Sequence, residues 1–579
     1  MLRDKIENLI KQVLKKEFNI KNFKDLDFDL SQPPDSKMGD FAWPCFSLAK
    51  IVKKSPREIA EILVQEIKPS KEIEKIEAVN GYLNFFVNKS LFAEITIKKI
   101  LKEKDAYGKG ELAKKSEYKK MILEFSSPNT NKPQHLGHLR NNVLGEALAN
   151  ILKNQNFEII KTNLINDRGI HICKSMLAYQ KFGSKETPKS SGTKGDYLVG
   201  KYYVLFEQKT KENPELLEEA REMLRKWEAG DKETRKLWQK MNKWAERGFK
   251  ETYRKLGIAF DRWDYESKVY QSGKKEVLKA FKKGICYQRE DGAVEIDLTK
   301  YNLDKKVLIR ADGTAIYIVQ DIAVAISRHQ EEKFDKCIYI TGFEQEYHFK
   351  VLFKILELFG FKWAKKLSHF PYGMVFLPEG KMKSREGKTV EADELIKEVE
   401  ELVKKEILKR EEKISKTELE KRASKIALAS LKFFLLKFTP KQEINFDPRK
   451  EVSFEGATGP YLQYAYARIK SILRKAKSVQ LKTKLNFNSF ETEEENELVK
   501  LLYAFPRVLM FAAIDKNPAN ICTYLLELAS LFNKFYQKIP VLKAKTKELI
   551  KMRLILIETV SMVIKNGLNI LGIETLEKM

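Results

Sequence analysis

The order of apolar and polar positions divides the chain before any motif is considered. Residues 1–66 carry apolar positions at helical spacing, interrupted by the turn-forming stretch Ser31-Gln32-Pro33-Pro34-Asp35. Ile76–Val87 alternates around Asn80-Gly81, which predicts strands on either side of a turn. A polar stretch near Lys114 ends this small α+β unit. Met121–Phe125 reads as a strand, Ser126–Gln134 as a loop with two prolines, Leu136–Lys153 as a helix and Glu158–Ile165 as a second strand. Strand, helix and strand in that order imply a right-handed crossover and a parallel sheet. A polar loop at 185–196 precedes strong helical periodicity over 204–256, with Trp227, Trp238 and Trp244 on apolar positions. That stretch predicts a helical hairpin inserted into the sheet domain. Strand patterns return at Lys306–Arg310, Ala315–Val319 and Cys337–Ile340, so two halves of the sheet are expected around an insertion of about 190–300. After Glu379 the pattern is mainly helical. Lys404–Lys421 is a charged, solvated face, and 459–579 forms a bundle with apolar positions such as Tyr524, Leu525, Leu528, Phe532 and Phe535.

Composition narrows the partners. A chain of 579 residues, 43% apolar and 33% charged, is a folded, soluble composition of roughly four domains. Lys and Arg outnumber Asp and Glu by 108 to 81, a net charge of +27 that attracts polyanions. Nucleic acid is the favoured partner; a lysine-rich solvated surface is the plain alternative. The cysteines (Cys45, Cys173, Cys286, Cys337 and Cys522) form no CxxC pair, which disfavours a disulfide framework or a zinc knuckle and favours a reducing compartment. No apolar run reaches the roughly 18 residues of a membrane span, and Asp4, Glu7 and Glu17 disfavour a transit peptide. A cytoplasmic monomer with no membrane partner is expected.

Two segments carry candidate chemistry. His135-Leu136-Gly137-His138 stands at a loop-to-helix junction after the first strand, where open parallel sheets bind ligands. A helix N-terminus offers free N–H groups to phosphate, two imidazoles three residues apart share a face, and Gly137 leaves room for a flat base. Alone, the pair also fits a metal site or two surface residues, although no further ligand has convincing spacing. Lys381-Met382-Lys383-Ser384-Arg385-Glu386-Gly387 follows the second half of the sheet. It suits a mobile loop over triphosphate or an ordinary basic turn. The two segments together are far more specific than either.

At this point the sequence resembles the class I aminoacyl-tRNA synthetases, and among them the arginyl enzymes. The resemblance rests on Leu123–Arg140 (Glu124-Phe125-Ser126-Ser127-Pro128-Asn129, then Lys132-Pro133 and the HxGH segment). Phe260-Asp261 with Glu266-Ser267, Gly456–Ala465 with Arg468, Leu528-Ala529, Phe532-Asn533, Phe535-Tyr536 and Leu571–Ile573 with Met579 also match. Gly39–Ala42 and Gly81–Asn84 resemble the family's N-terminal domain, so the likeness covers nearly the whole chain. It implies a multidomain α/β fold. A small α+β tRNA-binding domain would occupy 1–112, a Rossmann-type catalytic core 113–450, and an all-α anticodon-binding bundle 451–579. Two departures stand out. The family's Met-Ser-Thr-Arg is replaced by Met382-Lys383-Ser384-Arg385, and its usual Thr-Arg before Asp321 by Val319-Gln320.

The resemblance implies an arginine–tRNA ligase that makes arginyl-adenylate from ATP and L-arginine, then transfers arginine to tRNA(Arg), with adenylate formation dependent on tRNA. His135, His138, Lys132 and Lys381 would be catalytic; Lys132 would replace the missing second lysine of the KMSK motif. Gly137, both histidines, His348, Lys381, Lys383, Ser384 and Arg385 would meet ATP, with Mg²⁺ held mainly by phosphate. Glu124, Asn129, Tyr317, Asp321 and Gln345 would hold arginine, whose planar cation calls for carboxylates and neutral acceptors. Tyr317 and Asp321, four apart, share a face if a helix begins there. Tyr461, Tyr464 and Arg468 suit unstacked bases and phosphates, or else helix packing. No metal site is expected. Three rival readings compete. A class I synthetase for Gln or Glu does not fit an anionic pocket, and one for Cys lacks a zinc-bound pocket. A non-catalytic tRNA-binding paralogue does not explain His135, His138 and Lys381. Another HxGH nucleotidyltransferase does not need the long basic C-terminus.

Overall fold

A computed structural model describes residues 2–579 except 24, 25, 27, 29, 32, 34, 184, 378–389, 412 and 477–484. The chain forms two compact units. The first comprises Met1–Asp105, Leu473–Tyr503 and Leu531–Met562; the second comprises Ala106–Ile472, Ala504–Ser530 and Val563–Met579. The C-terminal helices Glu493–Ile514, Ala519–Lys538 and Lys547–Ile570 each contribute residues to both units.

In the first unit, Phe41–Pro44, Tyr82–Val87 and Ile73–Val79 form an antiparallel sheet in that order. Asn80 and Gly81 have φ of 49° and 80°, the left-handed pair that a two-residue hairpin needs to match strand twist. The expected hairpin is therefore present. Helix Pro56–Glu66 starts at a capping box in which Ser55 and Glu58 satisfy each other's free N–H groups.

The second unit is built on a five-stranded, wholly parallel sheet. Its order is Leu367–Tyr372, Lys336–Gly342, Lys120–Glu124, Glu158–Ile165 and Arg262–Tyr265. Chain order reverses between Lys120–Glu124 and Lys336–Gly342, which opens a crevice at the carboxyl ends of those strands. Helix Leu136–Asn154 begins there. On the sheet, Ile122, Ile318, Val319, Ile322, Leu352 and Ile355 share a core with essentially no exposed surface.

Four local expectations change. Ala315–Val319 is not a strand: after an isolated bridge between Ile309 and Ala315, a helix runs from Tyr317 to Glu332. Its β-branched residues suggest a strand, but Ile318, Ile322 and Ile326 lie on a helical stripe that is buried. Lys306–Ile309 is a strand of a separate antiparallel sheet with Tyr287–Gln288 and Val294–Ile296, not of the parallel one. The helical segment is more than a hairpin: Gly195–Glu212, Glu215–Ala229 and Lys232–Leu256 are three long helices, tied to the core where Trp238 Nε1 donates to Asp167 O at 2.6 Å. Arg262–Tyr265, inside the span expected as insertion, is the edge strand of the main sheet. Among the described residues no helix is long and apolar enough to cross a membrane.

Candidate active site

The HxGH segment is the N-terminus of helix Leu136–Asn154, and its histidines are built into the cap. His135 Nδ1 accepts from Gly137 N at 3.1 Å, and His138 Nδ1 accepts from His135 N at 3.3 Å. The imidazole centroids are 4.1 Å apart. Both Nδ1 atoms act as acceptors, so each neutral ring carries its proton on Nε2. Burial, and then the Lys132 charge, hold His135 down to about 4; burial, His135 and Lys132 hold His138 well below the usual histidine range. At neutral pH the helix start therefore presents two neutral Nε2–H donors beside Lys132, which makes no ion pair among the described residues. Gly137 serves its neighbour first: a Cβ there would lie 2.9 Å from His135 Cε1.

The preceding loop is pinned to the sheet. Ser126 and Ser127 adopt φ of 76° and 44°, unusual for residues with a Cβ. The Asn141 side chain accepts from Ser126 N, and Asn163 Oδ1 accepts from Ser127 N at 3.1 Å. Asn129 pairs with Asn166 across an isolated bridge and is exposed at the carboxyl end of the sheet.

Lys381, Lys383, Ser384 and Arg385 lie outside the described residues. The segments flanking 378–389 are tied to the HxGH element on both sides. Buried Arg140, on the HxGH helix, donates to Gly373 O (2.5 Å), Met374 O (2.9 Å), Pro440 O (3.1 Å) and Gln442 O (2.8 Å). After residue 389, Leu136 N donates to Val390 O at 3.0 Å and Ala392 N to Gln134 O at 2.8 Å. Strand Val375–Phe376 also pairs with Ile444–Asn445.

Across the crevice, the first turn of helix Tyr317–Glu332 meets the start of helix Glu346–Leu358. Asp321 Oδ2 bonds His348 Nε2 at 2.7 Å, and Tyr317, 59% exposed, stacks on His348 at 5.1 Å. Gln345 is exposed at the turn that opens the second helix. His348, expected on the nucleotide, thus stands with Tyr317 and Asp321. Glu124 is buried at the end of its strand: its Oε2 pairs with buried Arg328, and its Oε1 accepts from Ser127 Oγ at 3.3 Å. Arg328 also holds Asp264 at 2.7 Å, which in turn takes Arg262 at 2.7 Å and Thr162 Oγ1 at 3.0 Å. These arginines hold Asp264 below the ordinary carboxylate range despite its burial.

The Glu266-Ser267 dipeptide places a further acidic residue in this region. Glu266, at the start of helix Glu266–Lys282, is pushed up to about 8 by burial, with Asp321 and Asp167 adding negative charge nearby. It makes no ion pair among the described residues. Asp321 and Glu266 come from segments 55 positions apart, and only folding brings their carboxyl groups near each other. The single sequence signal was the Glu266-Ser267 dipeptide.

The model of class I (R) tRNA synthetase catalytic domains matches residues 96–447, more than half of the chain. The chain belongs to the arginyl branch of the class I tRNA synthetases. The arginyl tRNA synthetase N-terminal domain matches residues 4–87, and the DALR anticodon binding domain matches 462–579. An arginine–tRNA ligase of Treponema denticola is 46% identical over 561 residues, 95% of each chain. One of Parabacteroides distasonis is 43% identical over 556 residues, 92% of each. The structure of Thermus thermophilus arginyl-tRNA synthetase superposes with a TM-score of 0.80 at 26% identity, covering 100% of both chains.

Within the stretch matched by the family's DALR domain, Tyr464 and Arg468 lie one turn apart on helix Gly459–Lys475. Arg468 Nη2 donates to Tyr464 Oη at 3.1 Å, with its guanidinium 4.7 Å from the ring centre. Both are half-buried. Tyr461 is half-buried in the first turn of the same helix, ahead of the matched stretch.

Proposed function

We propose that the crevice at the chain-order reversal joins ATP to L-arginine as arginyl-adenylate and passes the arginyl group to the 3′ end of tRNA(Arg). The chain is an arginine–tRNA ligase. One observation carries the assignment of roles: imidazole donors stand at a helix N-terminus at the carboxyl end of the sheet, and two carboxyl groups, Asp321 and Glu266, are brought near each other from separate helices.

The arginine carboxylate attacks the α-phosphate, and pyrophosphate leaves. Negative charge grows on the phosphate oxygens in the transition state. Nε2–H of His135 and His138 donate to those oxygens, helped by the helix N-terminus and the Lys132 cation. Neutral rings can donate Nε2–H to phosphate while Nδ1 keeps accepting its capping bond. Lys381, Lys383, Ser384 and Arg385 are proposed to meet the triphosphate, and Gly137 to let the nucleotide approach the backbone. Mg²⁺ enters with ATP through its phosphates; among the described residues no group of three His, Cys, Asp or Glu could hold a metal ion.

Asp321 and Glu266 take the guanidinium as carboxylate partners. Tyr317 covers it, and Gln345 and His348 fix the Asp321 side of the pocket. His348 also retains its proposed contact with the nucleotide. Glu124 Oε1 and Asn129 receive the α-amino group, while Arg328 fixes the other Glu124 oxygen. A ribose hydroxyl of the tRNA then attacks the adenylate carbonyl and AMP departs. Catalysis is positioning and charge stabilisation, without a side-chain nucleophile. Residues 1–112 and 451–579 are proposed as tRNA-binding domains around a 113–450 core, with Tyr461, Tyr464 and Arg468 on the RNA. The enzyme is proposed to act as a cytoplasmic monomer.

Charging tests this directly. With ATP, Mg²⁺ and tRNA(Arg), labelled arginine becomes acid-precipitable, and omission of ATP abolishes the signal. Incorporation that is independent of ATP, or absent despite bound tRNA, would refute the reading.

A further inference from the structure

Gln320 stands where the sequence departs from the family pattern, next to Asp321, and only 8% of it is exposed. Its amide lies between Glu266 and Arg168. In the orientation that satisfies both ends, Nε2 donates to Glu266 Oε1 at 3.0 Å and Oε1 accepts from Arg168 Nη1 at 2.6 Å. The opposite orientation sets oxygen against oxygen and donor against donor, so the neighbours select the first.

We infer that Gln320 is a positioning residue that orients Glu266 toward the substrate guanidinium while keeping the Arg168 cation out of the arginine pocket. This rests on the reading that Glu266 and Asp321 hold the guanidinium. A cation-selective pocket needs Glu266 free to ionise against the guanidinium, and a direct Arg168–Glu266 pair would take that charge. An interposed amide supplies a hydrogen bond to each partner and no net charge.

The surroundings of Arg168 agree with this division. Its guanidinium pairs with Glu228 at 2.5 Å and lies 4.2 Å from the Tyr270 ring centre and 5.6 Å from that of Trp227. Its counter-ion is therefore Glu228 and not Glu266, and Tyr270, one turn after Glu266 on the same helix, covers the guanidinium face. Asp167, the adjacent acid, is engaged by Ser267 N at 2.9 Å and Ser267 Oγ at 2.6 Å. Asp321 is bonded by His348. Among the groups near Glu266, namely Asp167, Arg168, Gln320 and Asp321, only the amide donates to it.

The charge balance gives a readout that a merely structural residue would not move. Burial, Asp321 and Asp167 push Glu266 up to about 8, against the opposing pull of Arg168. In the wild type, the arginine KM falls as pH rises through the raised Glu266 range, because guanidinium binding favours the ionised carboxylate. Loss of the amide donor moves the inflection to higher pH.

The test measures tRNA-dependent ATP–pyrophosphate exchange from pH 6 to 9 with wild type, Gln320→Met and Glu266→Gln. In Gln320→Met the arginine KM at pH 7 is expected to rise roughly tenfold or more. The ATP KM and the kcat at saturating arginine stay near wild type, and the KM inflection shifts upward. A wild-type KM and inflection in Gln320→Met, with a raised KM in Glu266→Gln, would overturn the inference and leave the pocket reading intact. An unchanged KM in Glu266→Gln would instead overturn the pocket reading. If Gln320→Met does not fold, Gln320→Glu serves, because it keeps the acceptor for Arg168 and turns an oxygen toward Glu266. The same KM rise is expected there, and an unchanged KM would overturn the inference.

Discussion

Replacing His138 by alanine separates its two tasks. The imidazole Nδ1 caps the helix by accepting from His135 N at 3.3 Å, and Nε2–H is the proposed donor to the α-phosphate. Loss of the cap costs about 1 kcal/mol of stability. Loss of a donor that acts on transition-state charge costs about 100- to 1000-fold in kcat. The arginine KM should stay near wild type, because Asp321 and Glu266 belong to other helices. tRNA binding, measured by filter retention, should be unchanged. His138→Asn sharpens the assignment: a side-chain oxygen can restore the capping bond, so stability recovers while kcat does not. The assay is pyrophosphate exchange with saturating ATP and arginine, alongside denaturant unfolding. An exchange rate within about threefold of wild type in His138→Ala would refute the donor role.

Three further outcomes follow from the same geometry. Asp321→Asn should raise the arginine KM about 100-fold or more, as expected when one partner of a charge-assisted pair is removed, and normal arginine saturation would exclude Asp321 from the pocket. Arg140→Met leaves four carbonyl acceptors without their shared donor, so unfolding stability should fall by about 3–5 kcal/mol; a loss below about 1 kcal/mol would show that those bonds are not tying the segments together. His135, held down to about 4, makes folding pH-dependent: an unfolded histidine binds a proton below about 6.5 whereas the folded one does not. Its contribution is complete above pH 6.5 and is lost as pH falls toward 4, up to about 3 kcal/mol. His135→Gln should therefore show a weaker loss of stability between pH 7 and 4.5 than wild type, and equal losses would contradict the burial argument.

The parts of the fold legible in the sequence are those set by local pattern. The strand before HxGH, the helix after it and the Asn80-Gly81 hairpin each carry a periodicity or a turn dipeptide that few other conformations satisfy. The start of helix Tyr317–Glu332 was not legible as such, because Ile316, Ile318 and Val319 favour a strand locally; burial of the Ile318, Ile322 and Ile326 stripe decides for helix. The sharing of the C-terminal helices between two units also depends on tertiary packing, which no local pattern encodes. In the site, residues adjacent to a motif were readable, but their partners were not. Arg328 reaches Glu124 across 204 positions, and Arg140 reaches Gln442 across 302. Glu266, Gln320 and Arg168 lie on three separate segments, so the charge arrangement around the guanidinium emerges only in three dimensions.

Arginine specificity is read from ATP–pyrophosphate exchange with each of the standard amino acids, with and without tRNA(Arg). Exchange is expected with arginine in the presence of tRNA(Arg). Rates with lysine and glutamine should be lower by about 10⁴ or more, because both leave buried guanidinium acceptors unpaired. Comparable exchange with any other amino acid, or no exchange with arginine while tRNA is bound, would contradict it.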